Sequence, residues 1–350
     1  MATQGKPRII LGLMVIGPEG SPGARITDLG DFKEALDIFQ GRGYHELDTA
    51  RLYIGGKQEA FTRQAGWKER GLSIGTKIWP LPLGSHKPDA LTSTFNTCLK
   101  ELGTDSVDIL YLHAPDRSVP FADTLEAVDR LHKAGKFSRL GLSNYASFEV
   151  AEIVMTCKHN GWVRPTVYQA IYNCLFRTIE DELIPTCRRF GIAIDAYSPT
   201  GGGFLLGRIT SKSDDPKEGR YAAGPFQHLT RGRYFRDGII EGGQLIRKAA
   251  ETRGLNPLEV AMRWLVHHSM LQVGEGHDGV VIGFSTLQQL KDNLEYLEKG
   301  PLDAELLLVL QQAWKVAKGD METYWQLPME YTYDTEEALF GSNNKRSLYT

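Results

Sequence analysis

The chain has four cysteines in 350 residues and no Cys-x-x-Cys pair. Neither a disulfide framework nor a structural zinc site can be built at that spacing, so Cys98, Cys157, Cys174 and Cys187 read as buried free thiols. A run of 18 or more apolar residues is also missing, which leaves no candidate membrane-spanning helix. The opening residues, MATQGKPRII, lack the basic-then-apolar order of a signal peptide. The expectation is a cytoplasmic protein with no membrane partner. A formal charge of -3, without a long basic tract, removes the electrostatic basis for nucleic-acid binding. No paired carboxylates or His/Cys clusters mark a hydrolase or a metal centre. What is present is 41% hydrophobic and 24% charged residues, enough for a sizeable core under a solvated surface, and the expected partner is a small molecule.

Short runs rich in Val, Ile and Tyr alternate with longer amphipathic segments, the rhythm of a parallel βα sheet. Eight strands are expected: 9–14, 45–50, 72–78, 107–114, 139–144, 166–172, 192–198 and 279–284. Leu125, Val128 and Leu131 form a helical stripe stopped by Gly135. Leu183, Ile184, Cys187 and Phe190 form another, stopped by Gly191. Thr286 and Gln289 have capping-box spacing ahead of the stripe Leu287, Leu290, Leu294 and Leu297. The first strand is followed by MVIGPEGSPG rather than Gly-x-Gly-x-x-Gly, which counts against an open dinucleotide-binding sheet. The predicted fold class is α/β, a single-domain (β/α)8 TIM barrel. It spans residues 1–325, with a long loop at 199–238 between strands seven and eight. An irregular C-terminal tail follows at 326–350.

In such a barrel the site lies at the C-terminal ends of the strands. Asp48, Lys77 and His113 each follow an apolar run there, and Tyr53 stands in the loop beyond Asp48. Tyrosine is a poor acid at neutral pH, with an ordinary pKa of about 10. A neighbouring ammonium would pull that value down, and Lys77 could supply it; Asp48 would keep the buried lysine charged. His113 would then be free to donate to a substrate carbonyl oxygen. Tyr53 and Lys57 also spell Tyr-x-x-x-Lys, a pair that short-chain dehydrogenases hold one helical turn apart. Gly55 and Gly56 between them disfavour a helix.

The quartet Asp48, Tyr53, Lys77 and His113, in LDTARLY, GTKI and YLHAPD, resembles that of the aldo-keto reductases. The resemblance extends from about residue 8 to 325 through GLSNY, VYQAIYN, AYSPTGGG and VIGFSTLQQLKDN, in order. The pattern GFLLGR is most like the aflatoxin-aldehyde reductase branch. The resemblance implies an NADPH-dependent carbonyl reductase with the cofactor across the barrel mouth, Tyr53 as general acid, Lys77 and Asp48 as its tuning pair, and His113 orienting the carbonyl. It places Ser143, Asn144 and Gln169 on the nicotinamide carboxamide and Tyr197 against the ring. The pyrophosphate falls along Ser198 to Leu205, including Thr200, Gly201 and Gly203. The adenosine end falls at Gly283, Ser285, Gln289 and Asn293. Where many members carry Lys and Arg for the 2′-phosphate, this chain has Gly283, Phe284 and Gln289. The phosphate would then need Ser285, Thr286 and a loop arginine: Arg231, Arg233 or Arg236.

Met14, Trp79, Tyr172, Tyr324 and Trp325 are the expected rim of an apolar or aromatic carbonyl site. A rival reading is a cofactor-holding regulatory subunit resembling potassium-channel β-subunits, which keep the same quartet. Homo-oligomerisation stays open.

Overall fold

The computed structural model describes residues 5–217, 219–222 and 227–341. Eight strands form in order: β1 (Ile9–Gly12), β2 (Glu46–Asp48), β3 (Ser73–Ile78), β4 (Val107–Leu112), β5 (Phe137–Ser143), β6 (Pro165–Ile171), β7 (Ala193–Tyr197) and β8 (Gly279–Ile282). All neighbours pair in parallel, and β1 closes on β8, so the sheet is a barrel without an edge. The expected runs are the observed strands, trimmed or shifted by one or two residues at most ends.

Side chains alternate across each strand, which sorts the chain into an inner and an outer set. Ile109, Tyr111 and Val167 cluster inside the barrel, apart from the main core between sheet and helices. Tyr111 fits because its neighbours are glycines: a Cβ on Gly141 would lie 2.3 Å from the ring, and one on Gly75 3.2 Å. Its hydroxyl donates to Asp195 (2.9 Å), which also accepts from Arg8 (2.6 Å). Arg8 in turn grips Glu46 with two nitrogens. The interior is therefore a packed plug, and the open chemistry is confined to the mouth.

The outer helices end where the sequence stops them. Leu183–Phe190 finishes at Gly191, whose φ of 65° needs no side chain, and Thr286 caps Leu287–Glu298 by accepting from the amide of Gln289 at 3.2 Å. All four cysteines are buried and free. Among the described residues, no helix is long and apolar enough to cross a membrane.

Two stretches are more ordered than expected. The segment 199–238 contains a tight turn at Gly201–Leu206 and a helix at Gln227–Tyr234. That helix carries too little apolar periodicity to be read locally; at its end Tyr234 is buried against Phe204 and Tyr221. A short helix, Thr335–Phe340, interrupts the tail expected to be irregular, capped by Asp334 on the amide of Glu337. Residues 342–350 of that tail lie outside the described residues.

Candidate active site

The inward parity of the strands decides which side chains reach the mouth. Along β2 to β4, Asp48 lies beside Gly75 in the register and Lys77 beside Tyr111, with His113 one step beyond β4 on the same face as Tyr111. Lys77 is fully buried, and its Nζ donates to Asp48 Oδ2 (2.6 Å) and to the carbonyl of Thr49 (2.7 Å). Asp48 Oδ1 accepts from Gln169 Nε2 at 2.8 Å, so the carboxylate is held from two sides.

After β2 the chain folds back through Tyr53–Gly56, where Ile54 (φ 50°) and Gly55 (φ 60°) are left-handed. That reversal removes the helical turn a Tyr-x-x-x-Lys pair requires, and Lys57 instead stands at the entry to the helix Gln58–Gln64 without a side-chain capping bond. Tyr53 is delivered to the mouth, with Lys77 Nζ 5.2 Å from its ring centroid and the His113 ring edge-on at 6.0 Å. Trp79 meets His113 at 5.1 Å, also edge-on. Four side chains from three successive βα units thus converge at one mouth.

Burial dominates the electrostatics here. It lowers the Lys77 pKa, against the opposing pull of Asp48. It also drives His113 well below the ordinary histidine value, with the charges on Lys77 and His86 pushing the same way. His113 is therefore a neutral imidazole near neutral pH, and its buried Nδ1 has no hydrogen-bond partner among the described residues. The expectation for Tyr53 needs correction. Its pKa is held well above the ordinary phenol value, first by burial and then by Asp48, while the cation pulling it down is Arg220 rather than Lys77.

Asn144, at φ 63°, donates from Nδ2 to the carbonyl of His113 (2.7 Å) and to Ser143 Oγ (3.0 Å). Tyr197 donates to Asn144 Oδ1 at 3.4 Å. Ser143, Asn144, Gln169 and Tyr197 therefore share one end of the barrel, although the amide nitrogen of Gln169 is engaged by Asp48. Beyond Ser198 (φ 57°) and Thr200, the three glycines Gly201 to Gly203 all have positive φ, and Leu205 turns its side chain into the core. Gly283 and Ser285 are exposed, and Asn293 donates to the Gly283 carbonyl at 3.1 Å. Gln289 is partly spent, its Oε1 accepting from the amide of Ser285 at 2.8 Å.

Several expected contacts go elsewhere. Tyr172 has the parity opposite to Gln169 and faces outward: its hydroxyl donates to Glu180 (2.5 Å) and its ring packs on Trp264. Tyr324 is buried in tail packing, donating to Glu182 (2.5 Å) and accepting from the amide of Ser147 (2.9 Å). Trp325 stacks edge-on with Tyr324. Arg231 is committed to Asp215 and to the carbonyl of Asp214, and Arg236 to Glu322.

Of the three expected arginines, Arg233 is the one that stays near the mouth. It is buried near Tyr197, lies 5.6 Å over the Phe176 ring, and keeps an unpartnered Nε. Arg220 was not anticipated at all. It reaches from the long loop across Gly202 to Met14, with Nη2 3.4 Å from the sulfur. A lone arginine in a polar segment carries no local signal of such a reach.

The chain resembles known proteins in sequence and fold. The chain is 40% identical to an aldo-keto reductase of Pseudocercospora fijiensis over 83% of its own length and 99% of that protein. It is 39% identical to the rat protein named aflatoxin B1 aldehyde reductase member 2, covering 92% of this chain and 88% of the relative. A crystal structure of an aldo/keto reductase from Klebsiella pneumoniae, in complex with NADP and acetate, superposes with a TM-score of 0.65 at 22% identity, covering 88% of this chain and 92% of that one. A second from the same organism, in complex with NADPH, gives 0.66 at 21% identity, covering 92% and 95%. Residues 8–315 match the Aldo/keto reductase family, and the chain belongs to that family of oxidoreductases.

Proposed function

We propose that this chain reduces an aldehyde or ketone to the alcohol with NADPH, in the cytoplasm, with Tyr53 as the proton donor. The observation that carries the reading is the convergence of Tyr53 with His113 and the buried Lys77–Asp48 pair at one mouth. The raised Tyr53 pKa keeps the phenol protonated near neutral pH, so its Oη holds the proton that the developing alkoxide needs. His113, being neutral, has an N–H to aim at the same oxygen without placing a second charge beside Lys77.

The cofactor assignment draws support from the donor set along the mouth. The glycine turn 201–203 lets backbone approach a pyrophosphate, and the orphaned Nε of Arg233 offers a buried donor near Tyr197. NADPH, when bound, supplies the hydride that the carbonyl carbon accepts. Asn144 and Ser143 would hold its carboxamide, and the Tyr197 ring would cover one face. The 2′-phosphate would fall to Ser285 and Thr286 at the capped start of Leu287–Glu298. Met14 and Trp79 on the rim favour an apolar or aromatic carbonyl compound, and the names of the mammalian relatives point to aldehydes.

The test is NADPH oxidation with an aromatic aldehyde, comparing the native chain with Tyr53→Phe. Losing only the hydroxyl should cut turnover by about 10²–10⁴-fold while NADPH still binds. Undiminished turnover in the variant would remove Tyr53 from the role.

A further inference from the structure

The tail crosses the barrel mouth and is tied there by a buried charge that the reaction itself does not use. Arg117 stands four residues beyond His113, and its guanidinium is divided between two tasks. Nε and Nη2 grip both oxygens of Glu149 at 2.7 and 2.9 Å, while Nη1 donates to three successive tail carbonyls, those of Gln326 (3.1 Å), Leu327 (3.2 Å) and Pro328 (3.0 Å). Glu149 takes two further hydrogen bonds, from the amide of Ala146 (2.8 Å) and from the hydroxyl of Tyr331 (2.7 Å). Arg117 is 3% exposed and Glu149 fully buried.

The strap held this way ends on Asn144. The amide of Gln326 donates to the Asn144 carbonyl at 3.1 Å, and the amide of Thr332 donates to the Arg117 carbonyl at 3.0 Å. Asn144 sits in the left-handed region, uncommon for non-glycine residues but one that asparagine adopts more readily than most. Its side chain bonds the His113 carbonyl and Ser143, and it accepts from Tyr197. The hydrogen bonds of residues 324–332 described above land on the loops after β4 and β5, on the first turn of the helix Ser147–Asn160 and on Glu182, so they brace the mouth end and not the strands.

We infer that Arg117 is a positioning residue: by fixing the tail strap across the mouth, it holds Asn144 in the conformation that receives the nicotinamide carboxamide. The inference rests on the cofactor reading above. A planar guanidinium can serve a carboxylate and a row of carbonyls together, whereas a lysine ammonium is a point donor and cannot.

The test uses full-length Arg117→Lys, which keeps the charge beside Glu149, and full-length Gln326→Pro, which removes the donor to Asn144 and fixes φ at 326. Affinity is measured for NADPH and for adenosine 2′,5′-bisphosphate, which lacks the nicotinamide, with thermal unfolding followed in parallel. Both variants should bind NADPH about tenfold more weakly and bind the bisphosphate within about twofold of the native chain. NADPH affinity equal to the native chain's in both variants, or equal losses for the two ligands, would overturn the strap's role. A native chain that binds neither ligand would overturn the cofactor reading itself, and this inference with it.

Discussion

Lys77 Nζ lies 2.6 Å from Asp48 Oδ2, with the lysine completely shielded from solvent and the aspartate nearly so. Neither charge is tolerable alone at that depth. Lys77→Met should therefore destabilise the fold by about 3–5 kcal/mol, because it strands a buried carboxylate. The double variant Lys77→Met with Asp48→Asn should lose clearly less than the sum of the two single changes, since it leaves no unpaired charge. Urea unfolding of the four proteins measures the coupling. Additive losses would mean that the pair is not interacting as the geometry requires.

Much of this site was legible because strand parity and strand ends are written locally. Asp48, Lys77 and His113 each close an apolar run, and the βα rhythm fixes which end of the barrel they share. The same parity argues against Tyr172: if Gln169 points inward, a residue three further on points out, and that signal was in the sequence. Tyr324 was misread for a different reason, since a tail's path over the mouth depends on distant partners such as Ser147 and Glu182. Arg220 and the strap through Arg117 were invisible on the same grounds. Each acts across a long sequence separation through atoms that no local pattern marks. The sense of the Tyr53 shift failed because it required the relative weight of burial, Asp48 and Lys77, which composition cannot supply.

His113 is held neutral by burial and by the Lys77 charge, so acid should undo part of the fold. The sign follows from the depressed value. Above the ordinary histidine pKa of about 6.5 both folded and unfolded chains carry the neutral ring, and stability is full. As pH falls from there toward the depressed value, the unfolded chain takes up the proton first, and stability drops by up to about 1.4 kcal/mol per pH unit for this one group. His86 is shifted in the same direction, by burial against the partial support of the Ile78 carbonyl and Asp116, and adds its own share. His113→Asn should thus flatten part of the acid limb of a stability profile, leaving the His86 share. An unchanged limb in that variant would assign the whole acid sensitivity elsewhere.

Arg231 shows what the loop does with its charges. Its Nη1 pairs with Asp215 at 3.2 Å, Nη2 donates to the Asp214 carbonyl at 2.6 Å, and the guanidinium covers the Phe235 ring at 4.6 Å. A cation engaged on three sides and one quarter exposed is a poor hand for a phosphate. Arg233, two residues further along the same helix, is buried with an unpartnered Nε. Arg231→Ala should accordingly change NADPH affinity by no more than about twofold, because a partly exposed pair contributes at most about 1 kcal/mol and touches no proposed ligand atom. Arg233→Met should weaken it by at least about tenfold, having removed a buried donor from the proposed cofactor path. Titration of NADPH into both variants separates the two arginines. A tenfold loss in Arg231→Ala would mean that the loop releases this residue from Asp215 and closes it over the cofactor.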